Sequence, residues 1–368
     1  MQTDIDVAVI GAGVMGSAIA RAIAQAGRAV AVFERDNEAT DSGGSRGQER
    51  SVRLSHNVAA TVRIATSAIN GWRELEDETG TVLLEDGGVV QHGSPDVIHG
   101  RARALREAGR PGAVLSPDAA ESRWPGMRFT GDVLFEPEGG RIRARQAVEA
   151  LRHSAAVHGA SFTYDSPVVA LDENPESIQL HTPAGVVTCR QVVIAAGAWM
   201  RPLIPERFAS QLPPIKVTAE QPVYAETRDT PAVLFPSFVH HRGPDGTFYG
   251  LPAEGGLIKL GIHATGKQTD PDAMPTVPDQ EILDRIQEYV AEWMPGVGDI
   301  VRSEYCVYDL TPDDQFVLLG DGSVFIAGGF SGHGFKFAPW VGQRVADAVS
   351  TGTDVPWAAS LRDATAAG

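Results

Sequence analysis

Residues 4–10 form an apolar run broken only by Asp6, and they lead directly into Gly11-Ala12-Gly13-Val14-Met15-Gly16. No other feature constrains the fold as much. The run predicts a buried strand. Met15, Ala18, Ile19, Ala22, Ile23 and Ala26 then recur every three or four residues and predict a helix to about residue 26. Gly27 stands where a helix C-terminal glycine belongs, and residues 29–33 predict a second strand with Glu34 at its tip. Two parallel strands joined by a helix imply an α/β layered domain. In such a turn the first glycine permits a sharp bend and the second admits a pyrophosphate against the backbone. The third lets the helix pack closely on the strand. The helix N-terminus offers free N–H groups and a positive dipole end to phosphates. A carboxylate about 20 residues further on accepts hydrogen bonds from the adenosine ribose. Gly11, Gly13, Gly16 and Glu34 are therefore candidate dinucleotide-binding residues.

The remaining composition narrows the class. A chain of 368 residues is long enough for two domains, each with its own core. Cys189 and Cys306 are the only cysteines, which excludes a disulfide framework and a zinc ribbon or finger. A net charge of −16 argues against nucleic acid or an anionic membrane as partner. No apolar run approaches the roughly 20 residues of a membrane span. The acidic N-terminus MQTDID lacks the basic start of a signal peptide, so the expected location is cytoplasmic. Short strands expected over 87–91, 131–135, 221–225 and 247–252 suggest a second, mainly antiparallel α+β unit, with one helix over 279–293. A helix over 143–158, a strand over 188–197 and a C-terminal strand and helix return to the α/β layer. The expected division is a Rossmann-like dinucleotide-binding domain over 1–84, 140–210 and 313–368, and a substrate domain over 85–139 and 211–312. The Ala-rich tail after Asp354 reads as frayed.

The glycines alone do not separate NAD from FAD. The apolar strand over 323–327 runs into Gly328-Gly329-Phe330-Ser331-Gly332-His333-Gly334, and a helix with Pro339 near its start follows. That arrangement suits a flavin, which needs a backbone surface against its ring and a positive helix end where charge collects on reduction. A loop that simply caps a sheet would read the same way. In Leu257-Ile258-Lys259-Leu260-Gly261-Ile262-His263, Lys259, Gly261 and His263 share one strand face that a flat ring would approach closely; a solvent-facing strand side fits equally. Cys306 shares a face with Tyr308. It reads either as a small buried hydrophobe or as a thiolate promoted by nearby cations. Residues 44–53 carry Arg46, Arg50 and Arg53 against Glu49, as an anion-binding or a solvated basic loop. Lys336 adds a cation beside the glycine loop. Residues 261–268 nearly spell a P-loop, but Gln268 replaces the magnesium-binding hydroxyl and no helix pattern follows. His240-His241 lies in what reads as a Gly/Pro-rich turn, with no metal-ligand spacing.

Together these residues resemble the monomeric sarcosine oxidase and N-methyltryptophan oxidase group of D-amino-acid-oxidase-like flavoproteins. The resemblance spans nearly the whole chain. It is carried by VIGAGVMG (9–16), GSRGQERSVR (44–53), RWPG (123–126), FEPEGG (135–140), IAAGAW (194–199), FYGLP (248–252), IKLGIH (258–263), Cys306 with TPDD (311–314), and GGFSGHGFKF (328–337). It implies FAD bound covalently through Cys306, with Lys259 activating oxygen near the flavin. It also implies that His263, Tyr249 and Tyr308 line the substrate site, that Arg50 lies against the flavin ring, and that Arg53 and Lys336 bind a substrate carboxylate. Val168 is implied at the adenine, and Gly329, Gly332, Gly334 and Lys336 around the cofactor. The basic loop is one residue shorter than the family pattern, with Arg46-Gly47 where His-His-Gly is common. The implied activity is oxidation of a secondary amino acid with O2 reduced to hydrogen peroxide by a monomeric enzyme. A cyclic imino acid or primary amino acid oxidase or dehydrogenase, or a non-catalytic flavin-binding protein, fits the same residues.

Overall fold

Alternation of side chains decides how the first strand is buried. In the computed structural model, which describes residues 5–39, 42–353 and 355–357, β1 (Ile5–Ile10) turns Val7 and Val9 into one apolar cluster and Ala8 and Ile10 into another. Both faces are covered, as a central parallel strand requires. Helix α1 (Val14–Gln25) and β2 (Val30–Phe33) complete the unit, and β1 pairs in parallel with β2 and with the strand Gly185–Ile194. The sheet has nine strands, running from Val355–Trp357 through Val317–Gly320, Val324–Gly328, Gly185–Ile194, β1 and β2 to Ser161–Thr163, with Ala170–Asn174 and Ser177–Thr182 attached as a hairpin. The helices Ala144–Val157 and Ala338–Thr351 bury their alanine and valine stripes with α1 in the first cluster.

A second sheet of eight strands has the order Val297–Ser303, Val223–Thr227, Ile258–Ile262, Thr247–Pro252, Ser237–His241, Val89–Gly93, Val133–Glu136, Ala113–Leu115. Every pair in it is antiparallel except Val89–Gly93 against Ser237–His241. The helix Gln280–Trp293 covers it through Ile286, Tyr289 and Val290. The chain thus has an α/β fold, a Rossmann-like unit joined to a mainly antiparallel sheet. Two three-stranded sheets position the site. One joins Glu49–Val52 and Leu84–Asp86 to Gly140–Arg143, and the other places Lys216–Glu220 between Lys267–Gln268 and Cys306–Leu310.

Three local expectations change. Residues 49–52 are not loop: they pair with Gly140–Arg143, which holds Arg50 in a strand rather than in solvent. His240 and His241 end a strand instead of sitting in a turn, because the parallel register with Val89–Gly93 extends the pairing to them. The tail does not fray at once, since Val355–Trp357 pairs with residues 318–320; residues 358–368 and 1–4 lie outside the described residues. No helix among the described residues is long and apolar enough to cross a membrane.

Candidate active site

The glycine turn opens onto a cavity of about 440 Å³. Gly11 adopts φ +102°, where L side chains are strained, and a Cβ there would meet the Ala195 carbonyl oxygen at 2.6 Å. A Cβ on Gly16 would overlap the Gly11 carbonyl oxygen, so the helix start and the turn are in direct contact. Gly13 lines the cavity, and Ser45 Oγ accepts a hydrogen bond from the Val14 N–H at 3.0 Å. Glu34 is fixed by the N–H groups of Ala12 (2.6 Å) and Asp36 (3.2 Å), which aim its carboxylate along the cavity wall. Val168 forms part of the same wall, 9% exposed.

At its far end this cavity meets a second one of about 300 Å³. Arg50, Tyr308, Gly332 and Phe335 line both. The result is one cleft running from the glycine turn to Cys306, the shape an extended dinucleotide with a flat ring at one end requires. Gly332 and Gly334 line its ring end, and Gly329 lies beside it, its N–H bound by Asp309 Oδ2 at 2.8 Å. Gly332 has φ +70° and no room for a Cβ, which would overlap the Tyr308 ring. A short 3-10 turn, Phe335–Phe337, runs straight into the helix Ala338–Thr351, so the glycine loop sits at a helix N-terminus. The residues present fit FAD.

The second cavity collects Arg50, Arg53, Lys259, His263, Tyr249, Cys306, Tyr308 and Lys336. Arg50 donates to the carbonyls of Glu49 (2.9 Å), Gly44 (2.9 Å) and Arg46, and its guanidinium lies 5.7 Å from the centre of the Phe335 ring. Arg53 donates to the Ser55 carbonyl at 2.7 Å and Lys336 Nζ to the His333 carbonyl at 2.8 Å. Lys259 and Lys336 are both buried. Burial, then the Arg50 charge, pushes Lys259 down to about 8, with Cys306, Glu49 and Glu304 opposing. Burial and Arg53 push Lys336 well below the usual lysine range, with Glu136 opposing. Burial also lowers His263, which stays neutral at pH 7 beside Asp314, Arg53 and Lys336.

Two readings that the sequence left open are narrowed. The cations Arg50, Lys259 and Arg46 do pull the Cys306 thiol toward its thiolate, but burial pushes it up by more, so the thiol is the resting form. The flat ring that approaches Gly261 belongs to Tyr249, the directly opposed residue of the neighbouring strand. A Cβ on Gly261 would lie 2.5 Å from the Tyr249 hydroxyl oxygen. Cys189, by contrast, behaves as expected: it is buried in a strand, its thiol pushed up to about 12 by burial.

The sequence reading missed several lining residues. Glu49 counted only as an opposing charge, yet it is buried at 4% exposure. One oxygen accepts the Glu254 N–H at 2.8 Å and the other has no hydrogen-bond partner among the described residues. Burial raises its carboxyl above the ordinary range, with Lys259 opposing. Arg101 reaches the cavity from the helix Pro95–Glu107, and His241 from the end of its strand. His333 offers Nδ1 to the Ser331 carbonyl at 3.1 Å, and burial holds the ring neutral. Ser331 adopts φ +49°, a left-handed conformation for a non-glycine residue inside the glycine loop. No cluster of three or more His, Cys, Asp or Glu arranged to hold a metal occurs among the described residues.

Residues 6–348 match the family described as FAD dependent oxidoreductase. The chain is 29% identical to monomeric sarcosine oxidase of Bacillus sp. (strain B-0618), over 96% of this chain and 94% of that one. It is also 29% identical to N-methyl-L-tryptophan oxidase of Yersinia pestis (strain Pestoides F), over 93% and 94%. NikD, an unusual amino acid oxidase essential for nikkomycin biosynthesis, superposes with a TM-score of 0.80 at 26% identity, covering 94% of each chain. The L-proline dehydrogenase from P. horikoshii shares the fold, with a TM-score of 0.84 at 23% identity over 96% and 95%.

Proposed function

The chain belongs to the FAD-dependent oxidoreductase family, and from that premise we propose that it is an amine oxidase of the sarcosine-oxidase type. Its substrate is an N-methyl or other secondary amino acid. One observation carries the reading: Cys306, Lys259 and the pair Arg53 and Lys336 converge from distant segments on one cavity, at the end of the nucleotide cleft. Bound FAD would supply the two-electron redox chemistry that oxidises the carbon beside the amine and reduces O2. Overall, the N-methyl amino acid, O2 and water give the primary amino acid, formaldehyde and hydrogen peroxide.

The protein's own residues bind, orient and tune. Gly11, Gly13, Gly16, Glu34 and Val168 hold the dinucleotide end; Gly329, Gly332, Gly334 and Lys336 flank the ring end, where Arg50 and Phe335 line the junction. Cys306 Sγ would be the point that holds the flavin, and Arg50 and Lys259 favour the loss of its proton that such a role needs. Arg53 and Lys336 clamp the carboxylate, which turns an encounter into an oriented complex. The surrounding cations disfavour a second positive charge, so the amine binds neutral with its lone pair available. Neutral His263, with Tyr249 and Tyr308, forms the wall against which the amine is held. Lys259 places a buried cation where negative charge develops on oxygen.

The test is a peroxide and oxygen-uptake assay across N-methyl amino acids, proline, pipecolate and primary amino acids, paired with anaerobic bleaching of the flavin. Secondary amino acids are expected to bleach it and release peroxide. Failure of every amine to bleach the flavin overturns the reading. Protein that stays yellow after acid precipitation supports the covalent link.

A further inference from the structure

The catalytic cavity carries more positive charge than one carboxylate uses. Its lining includes five cations, Arg50, Arg53, Arg101, Lys259 and Lys336, and two carboxylates, Glu49 and Asp314. Behind it Glu136 is fully buried, but its oxygens are already taken by the Leu54 N–H (2.7 Å), the Ser55 N–H (2.8 Å) and hydroxyl (2.6 Å), and Gln91 Nε2 (3.2 Å). Glu136 and Asp314, the two carboxylates that act on Arg53, do not between them neutralise Arg53, Arg101 and Lys336.

Arg101 is the cation without an assigned task. It projects from the helix Pro95–Glu107, its Nε donates to Asn57 Oδ1 at 3.2 Å, and its Nη1 meets Gln91 Oε1 and, at 2.9 Å, His241 Nε2. All these partners are uncharged: burial holds His241 neutral, pushed down to about 2, with Arg101 and Arg53 adding to the effect. Burial and the neighbouring Arg53 push Arg101 itself down to about 9, against the pull of Glu136. A half-buried guanidinium with neutral partners and a cationic neighbour gains from any anion that reaches it. Its place in the cavity fixes where that anion sits. Arg50, Tyr308, Gly332 and Phe335 mark the flavin end, whereas Arg101 lies with exposed Asn57 and does not line the nucleotide cleft.

We propose that the substrate carries a second anionic group, held by Arg101 at the end of the cavity remote from the flavin, so that the preferred substrates are secondary amino acids with an acidic side chain. This rests on the amine-oxidase reading and sharpens it. Arg53 and Lys336 take the α-carboxylate, the amine faces the flavin end, and the distal carboxylate engages the planar fork of Arg101, whose Nη2 is free of protein partners among the described residues.

The test uses holoprotein and inert acids, read by the flavin absorption change on binding rather than by turnover. Succinate and glutarate are titrated against propionate and butyrate. One of the two dicarboxylates is expected to bind about tenfold or more tightly than its monocarboxylate counterpart. Arg101→Met should erase that advantage, so that dicarboxylates bind no more tightly than their monocarboxylate counterparts, and Arg101→Lys should restore part of it. Equal affinity for mono- and dicarboxylates in the unmodified protein overturns the proposal without reference to any variant. So does an Arg101→Met protein that weakens both classes equally. In turnover, N-methyl-L-glutamate or N-methyl-L-aspartate should outpace N-methyl-L-alanine in kcat/KM. If the neutral amine is preferred, Arg101 is not a specificity residue, though the amine-oxidase reading stands. If no amine bleaches the flavin, that reading fails, and the inert-acid titration still reports on Arg101.

Discussion

The two ends of the cleft are built by different physics. The nucleotide end centres on a turn and helix within about thirty consecutive residues, with Val168 and residues 195–203 completing its wall, and its requirements are steric: a left-handed turn at Gly11 and no side chain at Gly16. The catalytic end comes from segments around residues 49–53, 101, 249–263, 306–308 and 331–336, and its requirements are electrostatic. Steric closeness at the first end packs the fold and leaves open the space that the proposed cofactor would fill. At the second end, burial of Lys259, Lys336 and Glu49 opposes folding, because each charge leaves water without a full complement of partners. Binding and stability are aligned in one region and opposed in the other.

That contrast is most easily broken at Gly16. Gly16→Ala forces a Cβ into the Gly11 carbonyl, so it should remove flavin retention and destabilise the protein by about 3 kcal/mol or more. Denaturant unfolding and flavin content measure both, and an unshifted midpoint in a yellow protein would show that the steric account is wrong. Lys259→Met should act in opposite directions on function and stability. Reoxidation by O2 should slow by about 10²–10³-fold with little change in anaerobic reduction, as expected for loss of one preorganised charge. The flavin-free variant should be more stable at pH 7 by roughly 3 kcal/mol, the size of the fall from an ordinary lysine. The sign follows from linkage. Below about pH 8 folded and unfolded chains both hold the proton and the burial cost is fully present; as pH rises from about 8 through the ordinary lysine range, the folded state releases its proton first and stability increases. Stopped-flow kinetics and unfolding against pH test the two halves, and a variant that loses stability at pH 7 would contradict the second.

Cys306→Ser separates the ends directly. Acid-precipitated variant should be colourless, while reversible FAD binding through the nucleotide end persists; loss of all FAD binding would mean that the tether, not the glycine turn, supplies affinity. The smallest effect belongs to Glu49→Gln. Glu49 raises the proton affinity of Lys259, so its neutral replacement should move the fall in reoxidation rate to lower pH by a fraction of a unit. An unchanged pH profile would mean that Glu49 does not act on Lys259.

Legibility in the sequence follows the same division. The βαβ unit and Glu34 were readable because glycine spacing, helical period and strand alternation are local. The Lys259 and His263 face was readable from alternation, but what packs on it was not: Tyr249 sits over Gly261 through a cross-strand register that no neighbouring residue encodes. Arg101 lies on a helix whose polar residues look like an ordinary solvent face. His240 and His241 read as a turn until a partner 150 residues away, the strand Val89–Gly93, extended their strand. Glu49 read as a counter-ion because burial is invisible in a chain otherwise rich in acid.

The amino-acid order alone determined the fingerprint turn, the α/β and antiparallel layers, and the strand face that Lys259 and His263 share, since each depends on torsional preferences and periodicities spanning a few residues. Only the tertiary structure decided which charges share one cavity, which lose water, and which lack a partner. Those properties arise from the dielectric surroundings and distances between segments far apart in the chain, and the energy of a charge depends on its environment rather than on its neighbours in sequence.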